Sequence, residues 1–220
     1  MKTLIAEFGR RLLGRSGFSS ASYWKERYAA GGNSGPGSYG ELANFKAAVL
    51  NRFVQDRAVT SVIEFGCGDG NQLAIARYPS YTGIDVSPLA IRSCRERFKD
   101  DPSKQFLLAS DDDGRGADLA LSLDVVFHLV EDAVFVAYMR RLFEAASRYV
   151  IVYSSDRDEP VQPVAPHVRH RRFSRWVEHE MGARWKLLER IPNAFPYNGD
   201  YRTTSFCDFF IYGRNAGAGA

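Results

Sequence analysis

Between residues 62 and 70 the chain reads Val-Ile-Glu-Phe-Gly-Cys-Gly-Asp-Gly. A short run suited to a buried strand passes directly into three glycines at alternate positions, Gly66, Gly68 and Gly70. Glycine reaches backbone conformations closed to other residues and lets a ligand approach the main chain. A helix is expected over residues 71–77, then a second strand over 81–85 that ends in Asp85, about 20 residues after Gly66. A glycine turn after a first strand, followed at that interval by a carboxylate, is the logic of a nucleoside site in which the acid takes ribose hydroxyls. The dinucleotide fingerprint requires a third glycine where this chain has Asn71, which disfavours a nicotinamide enzyme.

The rest of the chain supplies a sheet around this turn. Apolar runs predict strands over 61–65, 81–85, 105–109, 118–124 and 148–154, with helices over 88–98 and 132–147 between them. Ser87-Pro88 is a cap followed by the proline that suits a first helical turn. Strands that alternate with helices predict a parallel, doubly wound α/β sheet, and continuous apolar strands fit burial on both faces. A helix over 174–181 and strands over 185–191 and 205–212 close the chain. The last two strands lack a full helix between them, so an antiparallel final strand is expected.

Ahead of the sheet, residues 2–13 place Leu4, Ile5, Phe8, Leu12 and Leu13 on one helical face, and residues 19–28 and 41–53 read as two further helices. Between those two lies Gly31-Gly-Asn-Ser-Gly-Pro-Gly-Ser-Tyr-Gly40, too rich in glycine and proline for a regular element. Too little chain precedes it for it to be a linker between domains, so a loop that closes over a ligand is the better reading. The expected layout is a single domain over 1–214, with 1–58 as a helical cap and glycine-rich loop over the site, and 215–220 as a disordered tail.

Bulk properties narrow the class. With 220 residues, 45% apolar and 25% charged, the chain suits one globular domain. A net charge of +3 gives no support for a nucleic-acid partner. Cys67, Cys94 and Cys207 are odd in number and widely spaced, which suits a reducing, cytoplasmic setting rather than a disulfide framework or zinc cluster. No apolar run approaches the roughly 20 residues needed to span a bilayer. The amphipathic start makes a homodimer a reasonable expectation.

The turn E-x-G-x-G-x-G resembles motif I of the class I S-adenosylmethionine (SAM) methyltransferases. That resemblance implies a Rossmann-like seven-stranded sheet, mostly parallel with an antiparallel last strand and helices on both faces. It also implies SAM as cofactor. By the same resemblance Asp85, with Val86 beside it, takes the ribose. Asp111, with the backbone at Ser110, meets the adenine. The backbone near Leu123 and the turn at Gly66 and Gly68 hold the methionine part. Glu64 or Asp69 would balance the charge of the sulfonium.

Methyl transfer to a hydroxyl benefits from a general base. Asp124 and His128, four residues apart after the fourth strand, are the catalytic candidates, and they share a face if that segment is helical. The same pair could instead hold a divalent cation such as Mg2+. A narrower resemblance, carried by residues 23–28, 31–40, 167–173, 191–197 and 204–210, is to bacterial sugar O-methyltransferases that accompany glycosyltransferases in polysaccharide gene clusters. These include the 1-O-methyltransferase type that caps mycobacterial methylmannose oligosaccharides. It implies that Tyr23 and Arg27 cover SAM and that Tyr39, His167, Arg169, His170 and Tyr197 face a carbohydrate acceptor. Two alternatives stay open at the level of sequence: an N- or O-methyltransferase of a small natural product, and a SAM-binding partner protein without activity of its own.

Overall fold

The computed structural model describes residues 18–161 and 165–215. The expected helix over 2–13 and the expected tail beyond residue 215 lie outside the described residues. The elements in chain order are α1 (Ser20–Ala29), α2 (Gly40–Asp56), β1 (Val62–Phe65), β2 (Tyr81–Asp85), α3 (Pro88–Arg97), β3 (Lys104–Leu108), β4 (Ala117–Leu123), α4 (Asp132–Glu144), β5 (Ala146–Ser154), α5 (Phe173–Met181), β6 (Trp185–Ile191) and β7 (Asp208–Arg214).

The seven strands form one sheet in the order β3-β2-β1-β4-β5-β7-β6. Strands β1 to β5 run parallel, with Val62 beside both Tyr81 and Leu119. β7 inserts antiparallel between β5 and β6. The strand order reverses between β1 and β4, so the carboxyl ends of these two strands open the crevice where ligands of such sheets bind.

Alternation along the strands divides the core between the two faces. Ile151 and Tyr153 of β5 pack with Leu50, Val54 and Phe209 on one side, while Val150 and Val152 join Met139, Leu142, Phe173 and Phe210 on the other. Both faces of the central strands β1, β4, β5 and β7 are thus covered, which is why those strands read as apolar runs, whereas β6 at the sheet edge is largely exposed.

One expected helix is reduced to a single turn, and the segment on which a shared Asp124–His128 face depended is not helical. The segment after the glycine turn is a single 3-10 turn, Leu73–Ile75, in place of a helix over 71–77. Asn51 of α2 explains the interruption: its side chain donates to the Ile75 carbonyl and accepts from the Arg77 N–H at 2.7 Å. Those are the backbone groups a longer helix would have used. After β4 the segment carrying Asp124 and His128 is likewise no α-helix. Asp124 has a left-handed backbone (φ 58°), and only Val126–His128 coil, as a 3-10 turn.

Candidate active site

The glycine turn after β1 is held from beneath by β2. The N–H groups of Gly66 and Cys67 both donate to the Ile84 carbonyl, at 2.7 and 3.1 Å. Gly66 and Gly68 have φ of 85° and 59°, conformations that side chains disfavour. The Gly68 N–H then donates to Asp85 Oδ2 at 3.0 Å, and the Ser87 N–H donates to Oδ1 at 2.8 Å. Asp85 is buried, and burial raises its pKa, opposed by the N–H groups of Ser87, Gly68 and Val86. A carboxylate is thereby fixed at the end of β2, beside the turn.

A cavity opens over this turn. Its walls include Phe65, Gly66, Gly68, Asp85, Val86 and Leu123, with Trp24, Tyr28 and Ser34 across from them. A buried, oriented carboxylate in the wall of a largely apolar cavity suits a nucleoside, so these residues fit SAM. Gly66, Gly68, Asp85, Val86 and Leu123 of the sequence candidates meet here. Ser110 and Asp111 lie apart from the lining, exposed on a 3-10 turn whose first residue, Ala109, does reach the cavity. Glu64 is buried but turned to Tyr81, whose hydroxyl donates to it at 2.6 Å. Burial pushes the Glu64 carboxyl up to about 7, against the Tyr81 bond and Lys46. Tyr23 stacks on His167 at 4.4 Å and does not line this cavity, and Arg27 faces the neighbouring one. Trp24 and Tyr28 are the aromatics of α1 that line the cavity, and the sequence reading passed over them. Their spacing of four residues, on one helical face, was the available signal.

The glycine-rich loop is tied to the turn by paired bonds. Asp69 Oδ2 accepts from the Ser34 N–H at 3.0 Å and from the Tyr39 hydroxyl at 2.7 Å. Ser34 Oγ accepts from the Asp69 N–H at 3.0 Å and also meets the Tyr28 hydroxyl at 2.9 Å. Asn71 Nδ2 donates to the Ser38 carbonyl at 2.7 Å. A Cβ on Gly68 would collide with Ser34 Oγ, so this glycine admits the loop as well as the turn.

A second, larger cavity of about 830 Å³ adjoins the first. Arg27, Tyr39, His167, His170 and Tyr197 line it, with Arg202 and Phe206 from the loop before β7. His170 is buried, its Nδ1 2.7 Å from Ser155 Oγ. Burial lowers the pKa of both His167 and His170, and Arg27 and Arg157 respectively add to this. Arg169 lies outside this lining, paired with Asp132 at 3.0 Å.

Four residues line both cavities: Trp24, Ser34, Asp124 and His128. His128 Nδ1 is 2.9 Å from the His167 carbonyl. A carbonyl can only accept, so Nδ1 carries the proton and Nε2 is the basic nitrogen. Burial, joined by nearby His167 and Arg27 and opposed by the His167 carbonyl and Asp124, pushes the His128 pKa down to about 4. Asp124 is bound by Lys46 of α2, whose Nζ is 2.5 Å from Oδ2. With Asp124 taken by an ammonium and His128 Nδ1 by a carbonyl, this pair does not fit a divalent cation. Among the described residues no group of three or more His, Cys, Asp or Glu is gathered to hold one.

Comparison with known proteins agrees with this architecture. Residues 63–151 match the sequence profile of the methyltransferase domain family. Over 94 residues the chain is 28% identical to mouse EEF1A lysine methyltransferase 4, covering 40% of this chain. It spans about a third (35%) of that relative's length. Magnesium protoporphyrin IX methyltransferase (ChlM) from Synechocystis PCC 6803 with bound SAM superposes with a TM-score of 0.62 at 13% identity, over 92% of this chain and 100% of that one. The N-methyltransferase NodS from Bradyrhizobium japonicum WM9, in complex with S-adenosyl-L-homocysteine (SAH), gives 0.62 at 17% identity, over 90% and 99%. The chain thus shares the seven-stranded fold of these methyltransferases, and its glycine turn lies within the segment that matches the methyltransferase-domain profile. Among the described residues no helix is long and apolar enough to cross a membrane.

Proposed function

We propose that the protein transfers the methyl group of SAM to a hydroxyl of a carbohydrate acceptor. The observation that carries this reading is the sharing of Asp124 and His128 between two adjoining cavities. One cavity fits a nucleoside, and the other offers imidazole, guanidinium, amide and aromatic groups in the mixture that a hydroxyl-rich ligand with apolar faces requires. Bound in the first cavity, SAM supplies an electrophilic methyl on a cationic sulfur that departs as a neutral thioether. Asp85 orients the ribose, and the turn from Gly66 to Gly68 leaves room at the backbone. On this reading α1 and the loop to Gly40 cover the cleft and exclude water, held down through Asp69. His128 Nε2 takes the hydroxyl proton as the acceptor oxygen forms its bond to the methyl carbon in line with the breaking carbon–sulfur bond. Asp124 steadies the imidazolium so formed. Positioning supplies much of the rate in such an in-line displacement.

The test is transfer of labelled methyl from SAM to a panel of mono- and oligosaccharides, run with EDTA and with Mg2+. Labelled sugar is expected. Exclusive labelling of amines or of phenolic natural products would move the acceptor class and sink the carbohydrate reading.

A further inference from the structure

Lys46 is the most buried cation of the described residues and is absent from the chemistry above. It lies on α2 at helical spacing between Leu42 and Leu50, on the face that packs into the core. Only 1% of its side chain is exposed. Lysine is almost never this buried unless paired, because an ammonium taken out of water loses its hydration. Its partner is Asp124, whose side chain is 19% exposed and borders both cavities. The ammonium also lies 5.2 Å from the centre of the Tyr153 ring. Three further features converge on this pair. Asp124 keeps a left-handed backbone (φ 58°) that an L side chain adopts at a cost. The loop backbone at Gly37 leans on the same carboxylate, since a Cβ there would lie 2.8 Å from Oδ2. Glu64 and Asp85 add further buried acid nearby, and Lys46 is the cation that offsets it at Glu64.

We propose that Lys46 is a positioning residue for methyl transfer, one that holds the Asp124 carboxylate at the junction of the two cavities, where it balances the positive sulfur of the donor. This rests on the reading of the two cavities given above, because a methyl that passes between them must lie where their walls are shared. One oxygen of Asp124 is anchored by Lys46, so the carboxylate neither swings toward Glu64 nor leaves the junction.

The test compares SAM with SAH, which differ by a methyl and by the charge on sulfur. Binding of each is measured by calorimetry at pH 7.5 for the wild type, Lys46→Met, Lys46→Arg and Lys46→Met/Asp124→Asn, with thermal unfolding alongside. Lys46→Met is expected to weaken SAM about tenfold while SAH changes much less, the size of effect that one misplaced neighbouring charge produces. Lys46→Arg should restore most of the preference. The double variant removes the orphaned charge and should regain thermal stability without regaining the SAM preference. If Lys46→Met lowers stability but leaves the SAM-to-SAH affinity ratio of the wild type, Lys46 is structural only and the proposal fails. A ratio shifted toward tighter SAM binding would also overturn it, by showing that Asp124 stays in place unaided. Failure of every sugar in the transfer assay would reject the acceptor class and leave this comparison intact.

Discussion

Ser34 and Asp69 are joined twice, each through its side chain to the other's backbone N–H, at 3.0 Å in both directions. The reciprocal pair welds a glycine-rich loop to the glycine turn that follows β1, across 35 residues of sequence. What looks like two separate flexible stretches is one hydrogen-bonded roof over the nucleoside cavity.

Loss of that weld should be read in cofactor affinity. Asp69→Ala removes the acceptor of the Ser34 N–H, the Tyr39 hydroxyl and the Asn71 N–H. SAH affinity measured by calorimetry is expected to fall about tenfold, one to two hydrogen bonds' worth. Tyr39→Phe, which deletes a single bond, should lie between the variant and the wild type.

The same carboxylate makes a pH prediction. Burial by itself would raise the Asp69 pKa, but bonds from Ser34, Tyr39 and Asn71 outweigh it and hold the group below the ordinary range. A depressed acid stabilises the fold above its unfolded pKa of about 3.9 and loses that contribution as pH falls through its folded value. Asp69→Asn should therefore lower Tm by a few degrees at pH 7, with the gap closing in increasingly acidic buffer. A gap that persists unchanged at pH 2.5 would contradict this.

Glu64 has the opposite sign. Its folded pKa of about 7 lies above the unfolded value, so its contribution is favourable below about pH 4 and is lost as pH rises through 7. Glu64→Gln keeps an acceptor for the Tyr81 hydroxyl and carries no charge. It should stabilise the protein at pH 8 by on the order of 2 kcal/mol and make no difference at pH 4. Denaturant unfolding at the two pH values checks it.

His128→Ala should reduce methyl transfer to the accepted sugar by about 10²–10⁴-fold, the usual contribution of a general base, with SAH affinity nearly unchanged. With its pKa pushed down to about 4, His128 stays neutral through the physiological range, with Nε2 free of a proton. The acid limb of kcat/KM in the wild type should fall near pH 4. A limb centred near 6.5 would assign the proton transfer to another group.

Gly68→Ala combines a left-handed backbone with a collision against Ser34. Stabilisation by SAH in a thermal-shift assay is expected to disappear. Adding Ser34→Gly should recover part of the melting temperature, because it removes the collision, while the backbone cost of about 1–2 kcal/mol remains.

The glycine turn, the strand ends and the alternation of strands with helices were legible because they are local. Gly66, Gly68 and Asp85 can be assigned from spacing, since a strand, a tight turn and a second strand leave the chain few ways to run. The helix expected over 71–77 failed for a non-local reason: Asn51, on a different element, took its backbone groups. Lys46 shows the limit most clearly. In sequence it is one more charge in a helix, and its neighbours Leu42 and Leu50 hint only that it points inward. Its meaning depends on Asp124, 78 residues away, just as that of His128 depends on the His167 carbonyl, 39 residues away. By itself the sequence determined the sheet, the glycine turn and the acid at the end of β2, through propensities and periods acting over a few residues. Tertiary structure alone decided which charges meet, which nitrogen of His128 is basic and how the loop closes on the turn. These are consequences of burial and direction, and neither exists until distant segments are packed together.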